Sequence, residues 1–309
     1  MRILLTGGSS FTGLWFARAL AAAGHTVVAP VRRARNGYAG MRRQRVDALS
    51  TVAEIVENCE FGCPRFLDLA ADGKWDALCH HAAEAADYRS LSFDANAAVS
   101  ANTRGLPDVL RTMMARGLSR VVLTGSVFEA NEGVGSLPMR AFSPYGLSKT
   151  MTAEAFRYWC GEFAVPLMKF VIPNPFGPFE EPRFCTYLIQ SWKDGKVAQV
   201  KTPAYVRDNI HVDLLAIAYK NAVERHDYSY ARVNPSGYVE AQGAFAVRFA
   251  SAMRERLGLA CDLDLSLQTE FPEPMVRINT DPAFAAHPEW SESGAWSRLA
   301  DFYKKYALC

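Results

Sequence analysis

Residues 1–13 read Met-Arg-Ile-Leu-Leu-Thr-Gly-Gly-Ser-Ser-Phe-Thr-Gly, and this stretch decides the fold. The apolar run at 2–5 is typical of a buried strand. Residues 6–13 are mostly small or polar and predict a tight turn, and the apolar segment from Leu14 to Ala23 predicts a helix. In such a strand–turn–helix unit, backbone N–H groups and the positive end of the helix face an anion such as a pyrophosphate. The stretch therefore predicts a dinucleotide-binding turn, and the alternative is a tight turn without a ligand.

One position of this turn departs from the usual dinucleotide fingerprint. Gly7 and Gly13 supply the first and last glycine, but Ser10 stands where glycine usually lets the backbone approach the phosphate closely. The Ser10 hydroxyl could instead bond a phosphate oxygen. We expect the cofactor to be contacted by Gly7, Ser9, Ser10, Phe11, Thr12 and Gly13.

The rest of the chain falls into two parts with different residue patterns. In the first part, apolar runs alternate with segments of helical spacing, which is the pattern of a parallel, doubly wound sheet. These runs lie at 26–30, 77–80, 120–123 and 167–172. We therefore predict an α/β protein with a doubly wound parallel Rossmann sheet in residues 1–172 and a smaller second domain in residues 173–309. Segments near 207–235, including a strand-like run at 231–234, are candidates to rejoin the first domain.

Composition excludes several classes of protein. Of 309 residues, 50% are hydrophobic and 21% are charged, which excludes a disordered chain. The 34 basic and 32 acidic residues give a net charge of +2, so charge predicts neither a nucleic-acid nor a membrane partner. No apolar run is long enough to span a membrane. The seven cysteines form no paired C-x-x-C, and no secretory signal is recognisable, so we expect a protein of the reducing cytoplasm.

Two arginines follow the second predicted strand. An NAD-binding domain usually places a carboxylate there for the ribose hydroxyls, but this chain has Arg32 and Arg33. Guanidinium groups suit the 2′-phosphate of NADP, so NADP is favoured over NAD. The alternative is a solvated basic loop, because more arginines follow between residues 35 and 45.

Tyr145 and Lys149 give the strongest chemical signal. They are four residues apart at the start of a helical pattern, so they share one helix face. A neighbouring ammonium stabilises a phenolate, which makes tyrosine a usable proton donor and acceptor. Upstream, the predicted strand at 120–123 runs on into Thr124-Gly125-Ser126, which places hydroxyls at the edge of the sheet where doubly wound folds bind ligands. We expect Thr124, or as a second choice Ser126, to hold a carbonyl beside Tyr145.

These motifs together match the pattern of one family. The matching positions are Thr6 to Gly13, Asp47, Asp76 to Ala83, Asn102, Thr124 to Ser126, Tyr145 with Lys149, Asn174 to Pro178 and Arg207 to Asp213. In this pattern the chain resembles the extended short-chain dehydrogenase/reductase family, and within it the branch of nucleotide-sugar epimerases, dehydratases and reductases. The resemblance implies an NAD(P)-binding domain, a C-terminal substrate-binding domain and a nucleotide-sugar substrate.

The resemblance also assigns cofactor contacts. Gly7, Ser10 and Gly13 are similar to the pyrophosphate turn, and Asp47 is similar to the acidic residue that contacts the adenine. Lys149 would bind the nicotinamide ribose, and Tyr145 would be the general acid/base. The remaining expected cofactor contacts are His80, Ala82, Ala83, Asn102 and Pro173.

Substrate contacts follow from the same resemblance. Asn174 is similar to the asparagine that meets the substrate pyrophosphate, Arg207 to the phosphate-binding arginine, and Arg183 is a further candidate for a phosphate contact. The alternatives are that Asn174 caps a proline-rich turn and that Arg207 pairs with Asp208. His80, His81 and His211 are expected to be packed side chains, and no metal-ligand spacing is present, so no metal is predicted.

Departures from the family pattern narrow the reaction. Dehydratases of this branch follow the hydroxyl with an Asp-Glu pair, and 3,5-epimerases use a cysteine near position 126, but the chain has Gly125 and Ser126. Hydride transfer at one carbon remains, and the arginines favour an NADP-dependent 4-keto sugar reductase over a 4-epimerase with retained NAD. A non-catalytic NADP-sensing or RNA-associated protein on this fold is a second alternative. The resemblance further implies a homodimer formed by the helices after Asn102 and Tyr145.

We expect Tyr145→Phe to lower turnover at least about a hundredfold while the cofactor still binds, because the variant lacks the group that gives and takes the proton. Steady-state turnover measures the loss, and quenching of the six tryptophans measures cofactor binding. Near-normal turnover in this variant would contradict the assignment of Tyr145.

Overall fold

A computed structural model describes residues 1–135 and 140–306, and they divide into two compact units. The first unit comprises residues 1–132, 140–172 and 216–234. The second comprises residues 133–135, 173–215 and 235–306.

The first unit is built on a seven-stranded sheet in which every pair of neighbouring strands is parallel. The strands are β1 (Arg2–Thr6), β2 (Thr26–Pro30), β3 (Glu54–Val56), β4 (Ala77–His80), β5 (Arg120–Ser126), β7 (Leu167–Ile172) and β11 (Tyr230–Val233). Their spatial order is β11-β7-β5-β4-β1-β2-β3. The chain runs outward from β1 to β3 and then crosses to β4 on the other side of β1. The crevice at the carboxyl ends of β1 and β4 is therefore the topological switch point, where such sheets bind ligands.

Helices of the first unit connect these parallel strands. They are α1 (Phe11–Ala22), α2 (Gly40–Leu49), α3 (Pro64–Asp72), α4 (Ala95–Asn102), α5 (Leu106–Met114), α6 (Pro144–Glu162) and the part of α8 (Val212–Glu224) from residue 216 onward. The start of α6 is set by its sequence. Ser143 caps the helix by accepting a hydrogen bond from the Gly146 N–H at 3.2 Å, and Pro144 occupies the first turn, where no N–H partner is needed.

Aromatic and aliphatic side chains bury both faces of this sheet. Trp75, Phe66 and Phe156 are fully buried in one cluster with the strand residues. Phe16 on α1 stacks on Tyr219 of α8 with ring centroids 3.8 Å apart. Almost every residue of the central strands is buried, and this is why their sequences are mostly apolar.

The second unit contains a mixed sheet centred on β10 (Val206–His211). The antiparallel strand β13 (Tyr238–Ala241) pairs with one edge of β10. The other edge pairs in parallel with β15 (Val276–Ile278) and further along with β8 (Asn174–Phe176), while β6 (Val134–Gly135) pairs with β15. The remaining elements are β9 (Ala198–Val200), β12 (Pro235–Ser236), β14 (Leu263–Leu265), β16 (Asp281–Pro282), α7 (Phe184–Lys193), α9 (Gln242–Leu257), α10 (Ala283–Ala286) and α11 (Glu292–Lys305).

The predicted fold class is confirmed: the chain is an α/β protein with a doubly wound parallel sheet. The strand-like run near 231–234 does rejoin that sheet, as β11 beside β7. Sequence reasoning missed β3, a three-residue edge strand with no fully buried residue. None of the described helices combines the length and apolar character needed to cross a bilayer. Six cysteines are free thiols, and Cys309 lies outside the described residues.

Candidate active site

The glycine turn after β1 contains two positions at which the surrounding backbone leaves no room for a side chain. Gly7 has a φ of +74°, and a Cβ there would lie 2.7 Å from the Ala82 nitrogen. A Cβ on Gly13 would overlap the Gly7 carbonyl oxygen. These glycines let the N-terminus of α1 approach the ends of β1 and β4.

Two backbone donors at this helix start have no acceptor. Among residues 1–135 and 140–306, neither the Phe11 nor the Thr12 N–H donates a hydrogen bond, although both residues are buried. Buried N–H groups are almost always paired, and here they stand at the positive end of a twelve-residue helix. The turn therefore fits the pyrophosphate of a dinucleotide, which would supply the missing acceptors.

Ser10 uses its hydroxyl within the fold. Its Oγ accepts a hydrogen bond from the Gly13 N–H at 3.1 Å and lies 2.9 Å from His81 Nε2. His81 Nε2 is also 3.0 Å from Thr12 Oγ1. The serine that replaces the middle glycine therefore caps α1 and ties the turn to the residue after β4.

His81 connects this turn to the end of β5. Its Nδ1 lies 3.1 Å from Thr124 Oγ1, so the two ring nitrogens bridge hydroxyls from two parts of the site. Burial lowers the pKa of His81 to about 3, with a further lowering from the charge of Lys149, so the ring is neutral at physiological pH. A neutral imidazole carries one N–H, and it therefore donates on one side and accepts on the other.

His80 was expected both to pack and to contact the cofactor, and its side chain is packed inside the fold. Its ring lies 4.2 Å from Phe61 and 4.8 Å from Phe156 between centroids, and Nδ1 contacts Thr6 Oγ1 at 3.2 Å. Burial lowers its pKa to about 3. Within the described part of the chain, no group of residues has the composition of a metal site.

Tyr145 and Lys149 both lie on α6, one turn apart. Tyr145 is half-buried, and its ring is met edge-on by Tyr88, Phe93 and Phe128 with centroids 5.8 to 6.1 Å away. Lys149 is buried, and its Nζ donates to the Thr124 carbonyl oxygen at 2.6 Å. Burial lowers the pKa of Lys149, whereas the carboxylate of Glu129 opposes that shift.

The two candidate hydroxyls of β5 differ in depth. Thr124 and Ser126 are two residues apart and therefore share one face of the strand. The Thr124 hydroxyl is engaged by His81, whereas Ser126 is the last residue of β5. Ser126 Oγ accepts a hydrogen bond from the Phe128 N–H at 3.2 Å, so its own proton remains to be donated.

The arginines after β2 have different surroundings. Arg32 Nη1 is 2.9 Å from the Glu84 carboxylate, in the segment after β4. Burial alone would raise the pKa of Glu84, but hydrogen bonds from the Ala86 N–H and from Arg32 outweigh it and lower the pKa. Arg33 is exposed, and its backbone N–H donates to Tyr38 at 3.2 Å.

Other expected cofactor contacts occupy supporting positions. Asp47 on α2 accepts hydrogen bonds from Arg35 and Arg43, which lower its pKa. Asn102 is buried, and its Oδ1 accepts from the Glu84 N–H at 2.9 Å. The Ala82 N–H donates to Thr6 Oγ1 at 3.0 Å. Ala83 is half-buried in the segment after β4, and Pro173 is buried in the second unit.

Asn174 and Arg207 lie on one face of the sheet in the second unit. Arg207 and Asn209 on β10 pair in register with Arg277 on β15 and Asn174 on β8, so these four side chains project from the same face. The side-chain amide nitrogens of Asn174 and Asn209 are buried and have no acceptor among the residues that the structure describes. Arg207 donates to Glu273 at 2.9 Å. Arg183 precedes α7 as its N-cap residue.

Sequence reasoning did not single out several of these residues. His81 was expected only to pack, and Glu84, Asn209 and Arg277 were not candidates. Register reveals the last two, because each stands beside a candidate on a neighbouring strand. Asn209 could have been found from its alternation with Arg207 in β10.

A known protein family matches most of this chain. The sequence profile described as "NAD dependent epimerase/dehydratase family" matches residues 3–234. Among curated protein sequences, none matches the chain at a significant level.

Solved structures share the fold. The UDP-glucuronic acid 4-epimerase from Bacillus cereus, in complex with UDP-glucuronic acid and NAD, has a TM-score of 0.75 at 18% identity, with 99% of each chain covered. The dTDP-glucose 4,6-dehydratase from Streptomyces venezuelae, with NAD bound, has a TM-score of 0.73 at 19% identity, covering 99% of this chain and 97% of that one. The UDP-glucose 4-epimerase from Thermotoga maritima, with UDP-glucose, has a TM-score of 0.73 at 17% identity and 99% coverage of both chains. At these identities the likeness concerns the fold.

We expect Gly13→Ala to abolish dinucleotide binding, because the new methyl group would force α1 away from the Gly7 carbonyl. Gly161→Ala is the matched control, since a Cβ at that position on α6 meets nothing within 4 Å and should stabilise the fold by about 0.5–1 kcal/mol. Fluorescence titration with NADH and NADPH, together with urea denaturation, measures both effects. Normal binding by Gly13→Ala would show that the turn is not the cofactor site.

Proposed function

The chain belongs to the NAD dependent epimerase/dehydratase family, a family of enzymes, and on that footing we propose that it is an NAD(P)-dependent oxidoreductase acting on a nucleotide-activated sugar. The proposed reaction transfers a hydride at one keto or hydroxyl carbon of the sugar. One observation carries the proposal: Tyr145, Lys149 and Ser126 stand in the same unit as the anion-binding turn after β1.

The dinucleotide would be held by the unpaired N–H groups of Phe11 and Thr12 and by the buried ammonium of Lys149. When bound, its nicotinamide ring supplies or accepts the hydride. Lys149 donates one of its three N–H groups to the Thr124 carbonyl, so two remain for the ribose and for the oxygen of Tyr145. The ammonium stabilises negative charge on that oxygen, which lets Tyr145 give a proton to a developing alkoxide and take it back.

Ser126 is the hydroxyl that we propose to polarise the substrate carbonyl. Its oxygen accepts from the Phe128 N–H, and that bond strengthens its own O–H as a donor. Thr124, the first choice from sequence, lies deeper and is engaged by His81. We propose that Thr124 supports the site through His81 and through its carbonyl, which holds Lys149.

The surroundings of these residues argue against elimination of water. The residues that follow Thr124 and Ser126 are Gly125 and Val127, which carry no acid or base. The first carboxylate after Ser126 is Glu129, which is buried and lies 2.6 Å from the ammonium of Lys169. Its two oxygens are engaged by Lys169 and by the Ser126 N–H, so this carboxylate is not available to a sugar. Hydride transfer without dehydration is therefore the better proposal.

We favour net reduction of a 4-keto sugar with NADPH, since the exposed guanidinium of Arg33 suits a 2′-phosphate. A specific observation favours the second candidate, 4-epimerisation with retained NAD. Glu84 neutralises Arg32, and a carboxylate at that place also disfavours a phosphate. The choice between the two reactions depends on which charge the bound cofactor meets.

The second unit would bind the nucleotide sugar. The buried donor groups of Asn174 and Asn209, with the arginines at 207 and 277 beside them, suit the oxygens of a pyrophosphate. Arg207 must then share its guanidinium with Glu273, which already accepts one of its hydrogen bonds. Arg183 remains a proposed further phosphate contact.

We also propose a homodimer. Leu147, Met151 and Tyr158 expose 46%, 41% and 59% of their surfaces along α6. Their spacing puts Leu147 and Met151 one turn apart, so that an apolar stripe is available for a second copy of the chain.

We expect Ser126→Ala to lower kcat about a hundredfold with cofactor affinity unchanged, because one preorganised donor to the developing alkoxide is lost. Thr124→Val is the matched comparison, since it removes the deeper hydroxyl and keeps the side-chain volume. It should cost less than Ser126→Ala. A larger loss in Thr124→Val would return the polarising role to Thr124.

Cofactor selectivity tests the charge argument. Arg33→Ala should weaken NADPH binding about tenfold and leave NADH binding unchanged, because a charge-assisted hydrogen bond to phosphate is lost. Glu84→Gln should strengthen NADPH binding by releasing Arg32. Arg104→Ala, which removes an exposed ion pair with Glu60, is the control. Tryptophan fluorescence measures NADPH and NADH binding by the unmodified protein and the three variants.

The reaction is tested by turnover. UDP- and dTDP-activated 4-keto sugars are incubated with NADPH, and UDP-activated sugars are incubated with the enzyme as purified. Stoichiometric consumption of NADPH supports the reductase, whereas interconversion of C4 epimers with bound NAD supports the epimerase. A protein that binds a dinucleotide and performs neither reaction would be the non-catalytic alternative.

A further inference from the structure

A buried charge cluster that the proposed mechanism does not use lies behind the end of β5. Lys169 on β7 places its Nζ 2.6 Å from Glu129 Oε2 and 2.8 Å from Glu132 Oε1. The side chains of Glu129 and Glu132 are 0% and 3% exposed. Glu132 is further met by Asn234 and Arg232 at 3.3 and 3.5 Å. Burying charges costs several kcal/mol per ion, so the position of this cluster invites an explanation.

The cluster is hydrogen-bonded to the strand that carries the candidate hydroxyls. Glu129 Oε1 accepts a hydrogen bond from the Ser126 N–H at 2.8 Å. Gly125 leaves room for this contact, because a Cβ there would lie 2.9 Å from Lys169 Cε and 3.1 Å from Glu129 Oε1. Gly125 is thus the position that admits the ion pair.

Lys149 also holds this short segment. The Nζ of Lys149 donates to the Thr124 carbonyl, one peptide before the Ser126 N–H that Glu129 binds. Two lysines and one glutamate therefore meet around three residues of β5. Neither Glu129 nor Lys169 has a counterpart in the roles assigned above.

We propose that Glu129 and Lys169 are a positioning pair that fixes the Thr124–Ser126 segment and sets the charge balance around Lys149. Glu129 holds the Ser126 backbone, and its negative charge acts on Lys149 without a direct ion pair. Lys169 holds Glu129 in place and partly cancels the effect of the Glu129 charge on Lys149. The inference rests on the function proposed for Lys149 and Ser126.

The charges of Glu129 and Lys169 shift the pKa of Lys149 in opposite directions. Burial lowers the pKa of Lys149, the carboxylate of Glu129 raises it, and the ammonium of Lys169 lowers it again. The other titratable groups facing Lys149 are Tyr145, one turn away on α6, and the buried His80 and His81, which burial keeps neutral. Loss of the Glu129 charge should therefore lower the pKa of Lys149, and loss of the Lys169 charge should raise it.

The experiment is NMR titration of protein labelled with ¹³Cε,¹⁵Nζ-lysine, with the Lys149 signal assigned from Lys149→Met. Glu129→Gln keeps an acceptor for the Ser126 N–H and should lower the pKa of Lys149 by about one unit, whereas Lys169→Met should raise it. Glu154→Gln is the matched control, because this exposed carboxylate on α6 pairs with Arg157. Equal or absent shifts in the first two variants would overturn the proposal.

If Lys169→Met does not fold, the double variant Glu129→Gln/Lys169→Met takes its place, since it removes both charges together. The pKa of Lys149 should then be higher than in Glu129→Gln alone, and an equal value would also overturn the proposal. These titrations need no substrate, so they decide the positioning role even where no nucleotide sugar is turned over. Where turnover is found, the alkaline limb of the kcat profile should shift in the same directions as the pKa.

Discussion

The buried ammonium of Lys149 is the constraint on which the candidate active site depends. An ammonium removed from water must find acceptors within the protein, and Lys149 finds one in the Thr124 carbonyl at 2.6 Å. That bond links α6 to the end of β5, and Tyr145 lies one turn before Lys149 on the same helix. The ammonium that we propose for the chemistry therefore also fixes the local geometry.

Much of the first unit follows from the apolar pattern. Strands such as β4 and β7 are buried at almost every residue, so their sequences are mostly apolar, with His80 and Lys169 as the polar exceptions. The edge strand β3 is different, because Glu54-Ile55-Val56 is short and only partly buried. Its pairing with β2 depends on the neighbouring strand more than on its own residues.

The candidate site was harder to predict where it depends on contacts between distant residues. Alternation places Thr124 and Ser126 on one face, but it does not say which hydroxyl the fold has already engaged. The partner of Arg32 is Glu84, 52 residues away, and only the order of β2, β1 and β4 brings them together. The positive charge of Arg32 could be predicted from the sequence, whereas its neutralisation by Glu84 could not.

The contact between Ser10 and His81 has a consequence for how this site can diverge. The serine hydroxyl and the imidazole meet at 2.9 Å, and the other nitrogen of the ring reaches Thr124. A lineage with glycine at position 10 deprives the histidine of one partner, and a lineage without the histidine leaves the hydroxyls of Ser10, Thr12 and Thr124 without this contact. A change at position 10, 81 or 124 therefore alters the surroundings of the other two, so substitutions at these positions should be coupled.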